Sequence, residues 1–247
     1  MKRIIIIGAS SGMGMRVAAD FARMGWRVGV AARRIGLLRE LAAEYPGHME
    51  CMELDVTAAD AAARLNRLID LTGGMDIMLY AAGCGWYNPG LDPADDDRTV
   101  AVNVAGFTRI CDAAYSYYRR TRLPGRIAAI TSVAGTRGLG VSATYSASKR
   151  YQWTYLQALG QLARIDGVEV GITDIRPGFV RTALLARFAR PLPLEMSVDS
   201  VAPRIESALL RGRRVAVIDS RWAILTALWR LIPRRLWQRL PVTFRDS

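Results

Sequence analysis

Tyr145 and Lys149 stand four residues apart in the run Tyr145-Ser146-Ala147-Ser148-Lys149, and Lys149 is one of only two lysines among 34 basic residues. The other is Lys2; every remaining basic side chain is arginine. Arginine serves nearly everywhere else, so a lysine at 149 points to a position that needs a compact ammonium rather than a planar fork. On a helix, residues i and i+4 share a face. An ammonium beside a phenol favours the phenolate and draws the tyrosine pKa down from about 10, toward the working range of a general acid/base. On spacing alone, a Tyr and a Lys sharing a solvated helix face fit equally well, so other residues must decide. Ser132 lies upstream in Ile130-Thr131-Ser132-Val133-Ala134-Gly135, at the end of an apolar run. Asn103 lies inside the helical stretch Val100-Ala101-Val102-Asn103-Val104-Ala105-Gly106, where asparagine is a poor helix former without a special reason.

A second cluster can bind rather than react. Gly8-Ala9-Ser10-Ser11-Gly12-Met13-Gly14 follows the apolar run Ile4-Ile5-Ile6-Ile7 and opens a helical pattern. Glycines here permit a tight turn and bring backbone N–H groups close to a diphosphate at a positive helix end. The spacing is G-x-x-x-G-x-G, not the G-x-G-x-x-G of two-domain dehydrogenases. The next apolar run, Trp26-Arg27-Val28-Gly29-Val30-Ala31-Ala32, ends in Arg33-Arg34, and no Asp or Glu occurs between Phe21 and Arg39. An acid at that place holds the ribose 2′-hydroxyl of NAD, whereas arginine receives the 2′-phosphate of NADP. Ala32 removes the repelling acid, Arg33 offers the fork, and Ser10 can add a hydroxyl, so the expected cofactor is NADP(H).

These residues need a scaffold, and the pattern supplies one. Apolar runs near 3–7, 26–32, 49–54, 75–81, 125–131, 168–175 and 214–218 alternate with helical stretches near 13–24, 36–45, 58–71, 97–120, 144–165 and 198–210. That alternation predicts an α/β fold: one doubly wound parallel sheet of about seven strands, with helices on both faces. Residues 1–220 form the dinucleotide-binding and catalytic domain in this reading, and 221–247 a C-terminal apolar-basic helical tail. The connection at about 178–198, with Phe179, Leu184, Leu185, Phe188, Leu192 and Leu194, is long enough to read as a lid.

Taken together, Gly8-x-x-x-Gly12-x-Gly14, Asp55-Val56, Ala82-Gly83, Asn103, Ser132, Tyr145-x-x-x-Lys149 and Pro177-Gly178 with Thr182 resemble the short-chain dehydrogenase/reductase family, from about residue 3 to residue 218. The resemblance implies a Rossmann-type fold and a hydride-transferring oxidoreductase. Tyr145 would be the proton donor/acceptor, and Ser132 the group polarising the substrate carbonyl. Lys149 would hold the nicotinamide ribose and lower the Tyr145 pKa, while Asn103 would support a water-linked relay. The dinucleotide would lie against Gly8, Ser10, Ser11, Gly12, Met13, Gly14, Arg33, Arg34, Asp55, Val56, Ala81, Ala82, Gly83, Pro177, Gly178, Val180 and Thr182. The implied substrate pocket, Cys84, Trp86, Tyr87, Ala134, Leu139, Phe179, Leu184 and Leu185, is apolar and aromatic, with Arg181 and Arg187 the nearby charges. It suits a hydrophobic ketone, aldehyde or alcohol. Other chemistries remain open: an NADP(H)-binding redox sensor or scaffold without turnover, or an epimerase or dehydratase on the same fold. Relatives often read Asn-Asn-Ala-Gly where this chain has Tyr80-Ala81-Ala82-Gly83, so a brace between strands is missing. The family also implies a homodimer or homotetramer through the helices near 97–120 and 144–165.

Composition narrows the class further. With 247 residues, 51% of them hydrophobic, the chain fits one large domain and is not disordered. Cys51, Cys84 and Cys111 form no C-x-x-C pair, which suits a reducing compartment and argues against a metal site. No stretch reaches the ~20 apolar residues of a membrane span, so the expected location is cytoplasmic. Net charge is +12, and residues 211–247 hold nine arginines against Asp219 and Asp246, which is +7. Trp222–Ile232 is apolar on nearly every face, Pro233 should break it, and Arg234, Arg235, Leu236, Trp237, Arg239 and Leu240 follow. Such a tail packs on the subunit's own body, covers a dimer partner, or lies in a membrane interface with its arginines at anionic headgroups; nucleic acid is not expected, because no binding module accompanies the charge.

Overall fold

The computed structural model describes every residue except Trp86, Arg187, Ala189 and 244–247. Trp86 and Arg187, both assigned above to the substrate pocket or its edge, therefore lie outside the described residues.

β1 (Arg3–Ile7) shows why the strands read as unbroken apolar runs. Ile4 and Ile6 enter one hydrophobic cluster and Ile5 and Ile7 the other, all at most 1% exposed. A strand covered on both faces has no polar side to alternate with. Around it, β2 (Arg27–Ala32), β3 (Met49–Glu53), β4 (Ile77–Tyr80), β5 (Gly125–Ile130), β6 (Val170–Pro177) and β7 (Val215–Ile218) form one parallel sheet in the order β3-β2-β1-β4-β5-β6-β7. Helices α1 (Gly12–Arg23), α2 (Ile35–Ala43) and α7 (Val198–Leu210) cover one face. The other face is covered by α3 (Ala61–Thr72), α5 (Phe107–Thr121) and α6 (Ala143–Ile165). Strand order reverses between β1 and β4, and that switch point opens the crevice in which such sheets hold ligands.

Two connections differ from the expected pattern. The helix expected near 97–120 begins earlier, as α4 (Pro93–Val100), because the Asp92 carboxylate accepts the Ala94 N–H at 2.9 Å and Pro93 takes the first turn. It then widens into a π-helical turn, Ala101–Gly106, before α5 continues. The wide turn carries the buried Asn103, which gives the sequence's misplaced asparagine its reason. At the other end, α8 (Ser220–Leu231) and α9 (Arg234–Trp237) meet at Pro233, where the break was expected. They do not stand apart as a tail. Trp222 and Trp237 are buried, and Trp237 joins the cluster of Ala134, Leu139, Leu185 and Phe188. Arg137 fastens the end of α8 by donating to the carbonyls of Trp229, Arg230 and Ile232 at 3.0, 2.9 and 2.6 Å.

Candidate active site

Ser132 leaves β5 in extended backbone, and its Oγ accepts the Ala134 N–H at 3.1 Å. The turn that follows returns the chain into α6, whose first turn carries Tyr145 and whose second carries Lys149. A polar layer behind the site holds α6 to the sheet: Trp153 Nε1 and Asp174 both bond the Thr131 hydroxyl, at 3.0 and 2.6 Å. The Tyr145 phenol hydrogen-bonds Ser132. Ser132, Tyr145 and Lys149, found in the sequence by type and spacing, are thus brought together.

Lys149 is 3% exposed. Its Nζ lies over the Tyr145 ring, 5.6 Å from the centroid, and donates to Gln152 Oε1 at 3.1 Å and to the Ile130 carbonyl at 3.4 Å. Burial pushes the ammonium down to about 8, against the opposing pull of Cys84 and Asp174. Burial also pushes the Tyr145 phenol up to about 12, with the Ser132 hydrogen bond working the other way. The expectation that Lys149 lowers the Tyr145 pKa is therefore corrected for the protein alone. Burial of the phenol outweighs the hydrogen bond that favours its ionised form, so desolvation dominates.

Asn103 holds the neighbouring loop through Cys84, whose N–H it accepts at 3.1 Å and whose carbonyl it reaches at 2.8 Å; its amide also donates to Ser148 Oγ at 3.1 Å. Its backbone carbonyl accepts from Gln152 Nε2 at 2.9 Å. The sequence reading missed Gln152. Its amide spans the line from the Asn103 carbonyl to the Lys149 ammonium, along which the resemblance implied a water. The orientation follows from chemistry, since an ammonium requires an acceptor and a carbonyl requires a donor. The available signal was a polar residue three positions after Lys149, on the same buried helix face.

One groove joins this site to the glycine loop. It is lined by Gly8, Ser10–Gly14, Arg33, Arg34, Asp55, Val56, Ala81–Gly83, Thr131, Tyr145, Lys149 and Thr182. Gly8, at φ +93°, must be glycine: a Cβ there would meet the Ala82 nitrogen at 2.5 Å. Ala81, where relatives carry the bracing asparagine, packs close to Gly14 and donates its N–H to the Ile7 carbonyl at 2.7 Å. Ser11 begins α1 without a side-chain cap, and no acid lies in the first turn, so the groove end offers backbone N–H groups and positive potential. Arg34 donates to Ser10 Oγ at 3.0 Å and Ser11 Oγ at 2.9 Å, standing over the loop, while Arg33 lines the same groove. Asp55 is pinned by the Thr57 N–H at 2.9 Å. A dinucleotide fits this donor set: amides and hydroxyls at one end, guanidiniums beside them, the Tyr/Lys pair at the other.

A second, mostly apolar cavity meets the groove at Thr131 and Tyr145. It takes in Ala134, Leu139, Phe179, Leu184 and Leu185 as expected. Pro177, Gly178 and Val180, assigned to the cofactor by resemblance, line this cavity, which shares Met13, Thr131, Tyr145, Thr182 and Leu184 with the groove. Cys84 and Tyr87 line an adjoining recess that also reaches Tyr145 and Leu184. Trp222 and Trp229 complete the wall, and the sequence reading, which treated them as tail, missed them. Gly178 explains how they fit, since a Cβ there would lie 2.1 Å from the Trp222 ring. The connection read as a lid is clasped at its base, with Val180 bridging Met196 and Arg181 paired with Glu195, and its Phe179, Leu184 and Leu185 line the cavity. Among the described residues no three His, Cys, Asp or Glu gather as metal ligands.

The comparisons with known proteins agree with this geometry. Residues 2–191 match the short chain dehydrogenase family. An uncharacterized oxidoreductase of Myxococcus xanthus is 33% identical over 241 residues, covering 94% of this chain and 93% of its own. Another, from Mycobacterium tuberculosis, is 28% identical over 257 residues, covering 96% of each. Among solved structures, a short-chain type dehydrogenase/reductase from Mycobacterium marinum superposes with a TM-score of 0.80 at 24% identity, over 90% of this chain and 95% of that one. A short-chain dehydrogenase from Sphingobium yanoikuyae in complex with NADPH gives 0.77 at 22%, over 100% and 99%. A 3-ketoacyl-(acyl-carrier-protein) reductase from Brucella melitensis complexed with NADH gives 0.78 at 23%, over 87% and 95%. With the family matched across most of its length, this chain belongs to the short-chain dehydrogenase/reductase family of oxidoreductases.

Proposed function

We propose that the protein is an NADP(H)-dependent oxidoreductase that interconverts a hydrophobic ketone or aldehyde and its alcohol. The observation that carries this reading is the junction at Tyr145, where a cationic, amide-lined groove and an aromatic, nearly charge-free cavity share one wall. Similar folds hold NADH in one case and NADPH in another, so the cofactor choice rests on this chain's own residues. Ala32 removes the acid that would repel a 2′-phosphate, and Arg33 and Arg34 supply charge beside Ser10. In the groove, Arg34 and the amides of α1 anchor the phosphates, and Gly83 leaves space beside Asn103 and Lys149.

The bound nicotinamide supplies or takes the hydride at the carbonyl carbon. The side chains handle the oxygen. Ser132 donates to the carbonyl and polarises it, and Tyr145 gives its phenolic proton to the forming alkoxide. In the reverse direction Tyr145 must accept that proton. Lys149 keeps positive charge beside the ring, which offsets the developing phenolate in a site that otherwise disfavours charge. Trp222, Trp229, Phe179 and Leu185 exclude water and select an apolar substrate. The test is a cofactor-consumption screen of hydrophobic ketones with NADPH and NADH, and of the alcohols with NADP⁺ and NAD⁺. Turnover of apolar members with strong preference for the phosphorylated cofactor supports the reading. Equal use of NADH, or uptake of NADPH with no turnover across the panel, overturns it.

A further inference from the structure

α8 and α9 bury their tryptophans and turn their aliphatic residues outward. Ile224, Leu228 and Leu231, at i, i+4 and i+7, are 63, 55 and 78% exposed, and Leu236 and Leu240 continue the surface at 51 and 41%. From residue 220 to 243 there are five arginines and no acid. Arg221 pairs with Asp219, but among the described residues no carboxylate pairs with Arg230, Arg234, Arg235 or Arg239. These four are all exposed. A solvated face would not carry five large aliphatics, and a self-packed tail would not leave them outside.

We infer that α8 and α9 form a docking face for an anionic phospholipid surface, with the leucines entering the headgroup–acyl boundary and the arginines holding the headgroups. Charge decides between occupants. A second copy seated by two-fold symmetry would set these arginines against themselves. A protein partner's interface centre is enriched in aromatics, methionine and arginine; here the tryptophans face inward, and the large apolar side chains left outside are the aliphatic Ile224, Leu228, Leu231, Leu236 and Leu240, with no methionine among them. Aliphatic residues flanked by unpaired arginines match the amphipathic helices that lie in lipid interfaces. Among the described residues no helix is long and apolar enough to cross a membrane, so the contact is peripheral. Trp222 and Trp229, on the inner side of α8, wall the apolar cavity. The helix that touches lipid thus also borders the pocket, and a lipid-dissolved carbonyl compound would reach it with little exposure to water.

The test is flotation of the full chain with phosphatidylcholine vesicles, with and without phosphatidylglycerol. The protein should float with the anionic vesicles, much less with the neutral ones, and lose binding as salt rises, because screening shortens at higher ionic strength. Ile224→Gln with Leu228→Gln and Leu231→Gln should lower vesicle binding at least ~10-fold, since three aliphatic side chains would no longer leave water on binding. Arg234→Gln with Arg235→Gln and Arg239→Gln should remove the preference for anionic vesicles. Both variants alter exposed side chains, so NADPH binding should stay within about two-fold of the parent, which separates this claim from the catalytic one. Failure of the parent to float with anionic vesicles overturns the proposal, as does undiminished flotation of the aliphatic variant. If the parent instead sediments as a dimer that the aliphatic variant splits, the face belongs to a second copy and the lipid reading is wrong.

Discussion

Lys149 sits at the crossing of two demands, a charge that the chemistry needs and a site that desolvates it. With its ammonium pushed down to about 8, the free enzyme loses that charge as pH rises through about 8. Tyr145, held up to about 12, stays protonated over the same range. The proposed mechanism of reduction needs both groups protonated, so kcat/KM for reduction should fall on the alkaline side with a limb near 8. A limb that Lys149 controls should move when its acceptor changes. Gln152→Glu places a carboxylate beside the ammonium, raises its pKa and should shift the limb upward. Gln152→Leu removes the acceptor and should shift it downward, with kcat falling more than KM rises. Unshifted limbs with only lowered Tm would make Gln152 structural. Lys149→Arg should cut turnover strongly at equal charge, because a guanidinium cannot take the compact seat against Gln152 and Ile130. Arg34→Ala should weaken NADPH by about ten- to a hundred-fold while sparing NADH, the scale of ~1.5–3 kcal/mol for a charge-assisted bond. Equal loss for both cofactors in a fluorescence titration would remove Arg34 from the phosphate end. The sequence showed Tyr145 and Lys149 because residue type and helical spacing are local. It could not show that Lys149 turns to the ring and Gln152, since the Asn103 carbonyl that orders this arrangement lies 49 residues away.

At the scale of elements, small polar contacts decide where helices begin, end and meet. Asp219 starts α8 at a positive φ of +78°, accepts the Arg221 N–H at 2.9 Å and reaches Arg204 of α7 at 3.2 Å, while Arg137 fastens the far end. Arg137→Ala should leave the α8 carbonyls without their donor, cost on the order of 1.5–3 kcal/mol, and loosen the wall that Trp229 contributes. The readout is a lowered Tm together with a KM for apolar substrates that rises more than the Kd for NADPH. A second element contact predicts a pH effect. Glu206 of α7 faces Asp20 of α1, is raised to about 7 by burial and then by Asp20, and is opposed by Arg16 and Arg23. The folded state therefore holds this proton longer than the unfolded one, and stability falls as pH rises from about 4.5 to about 7. Glu206→Gln should raise Tm above pH 7 and lose that advantage near pH 4.5, by calorimetry across pH; a pH-independent difference would contradict the assignment. Strands were legible in the sequence because burial on both sheet faces leaves continuous apolar runs. The π-helical turn was not, because Asn103 marks it by one residue only. The walls made by α8 were hidden for the opposite reason: its tryptophans and leucines look alike in sequence, and only packing separates inward from outward.

For the molecule as a whole, the sheet holds the glycine loop and Ser132 at the carboxyl ends of its strands, α6 brings Tyr145 and Lys149 to the same crevice, and the C-terminal helices close the apolar side. Removal of residues 221–247 should therefore lower stability and open the cavity rather than leave an intact enzyme, because Trp222, Trp229 and Trp237 leave with them. A truncated protein with an unchanged Tm and unchanged KM for an apolar substrate would contradict that. The alternation of strands and helices and the family's sequence motifs were readable from residues 3 to 218, where local pattern and fold coincide. The wall of the apolar cavity was only half readable, since Trp222 and Trp229 come to it from beyond that span. The central claim is that Tyr145 is the proton-transfer group of an NADP(H)-dependent enzyme. Its most direct test is Tyr145→Phe, compared with the parent by NADPH titration and by turnover of the best apolar ketone. The account predicts an unchanged Kd for NADPH and turnover reduced by at least ~10²-fold, the usual contribution of a placed acid; undiminished turnover in Tyr145→Phe would contradict it.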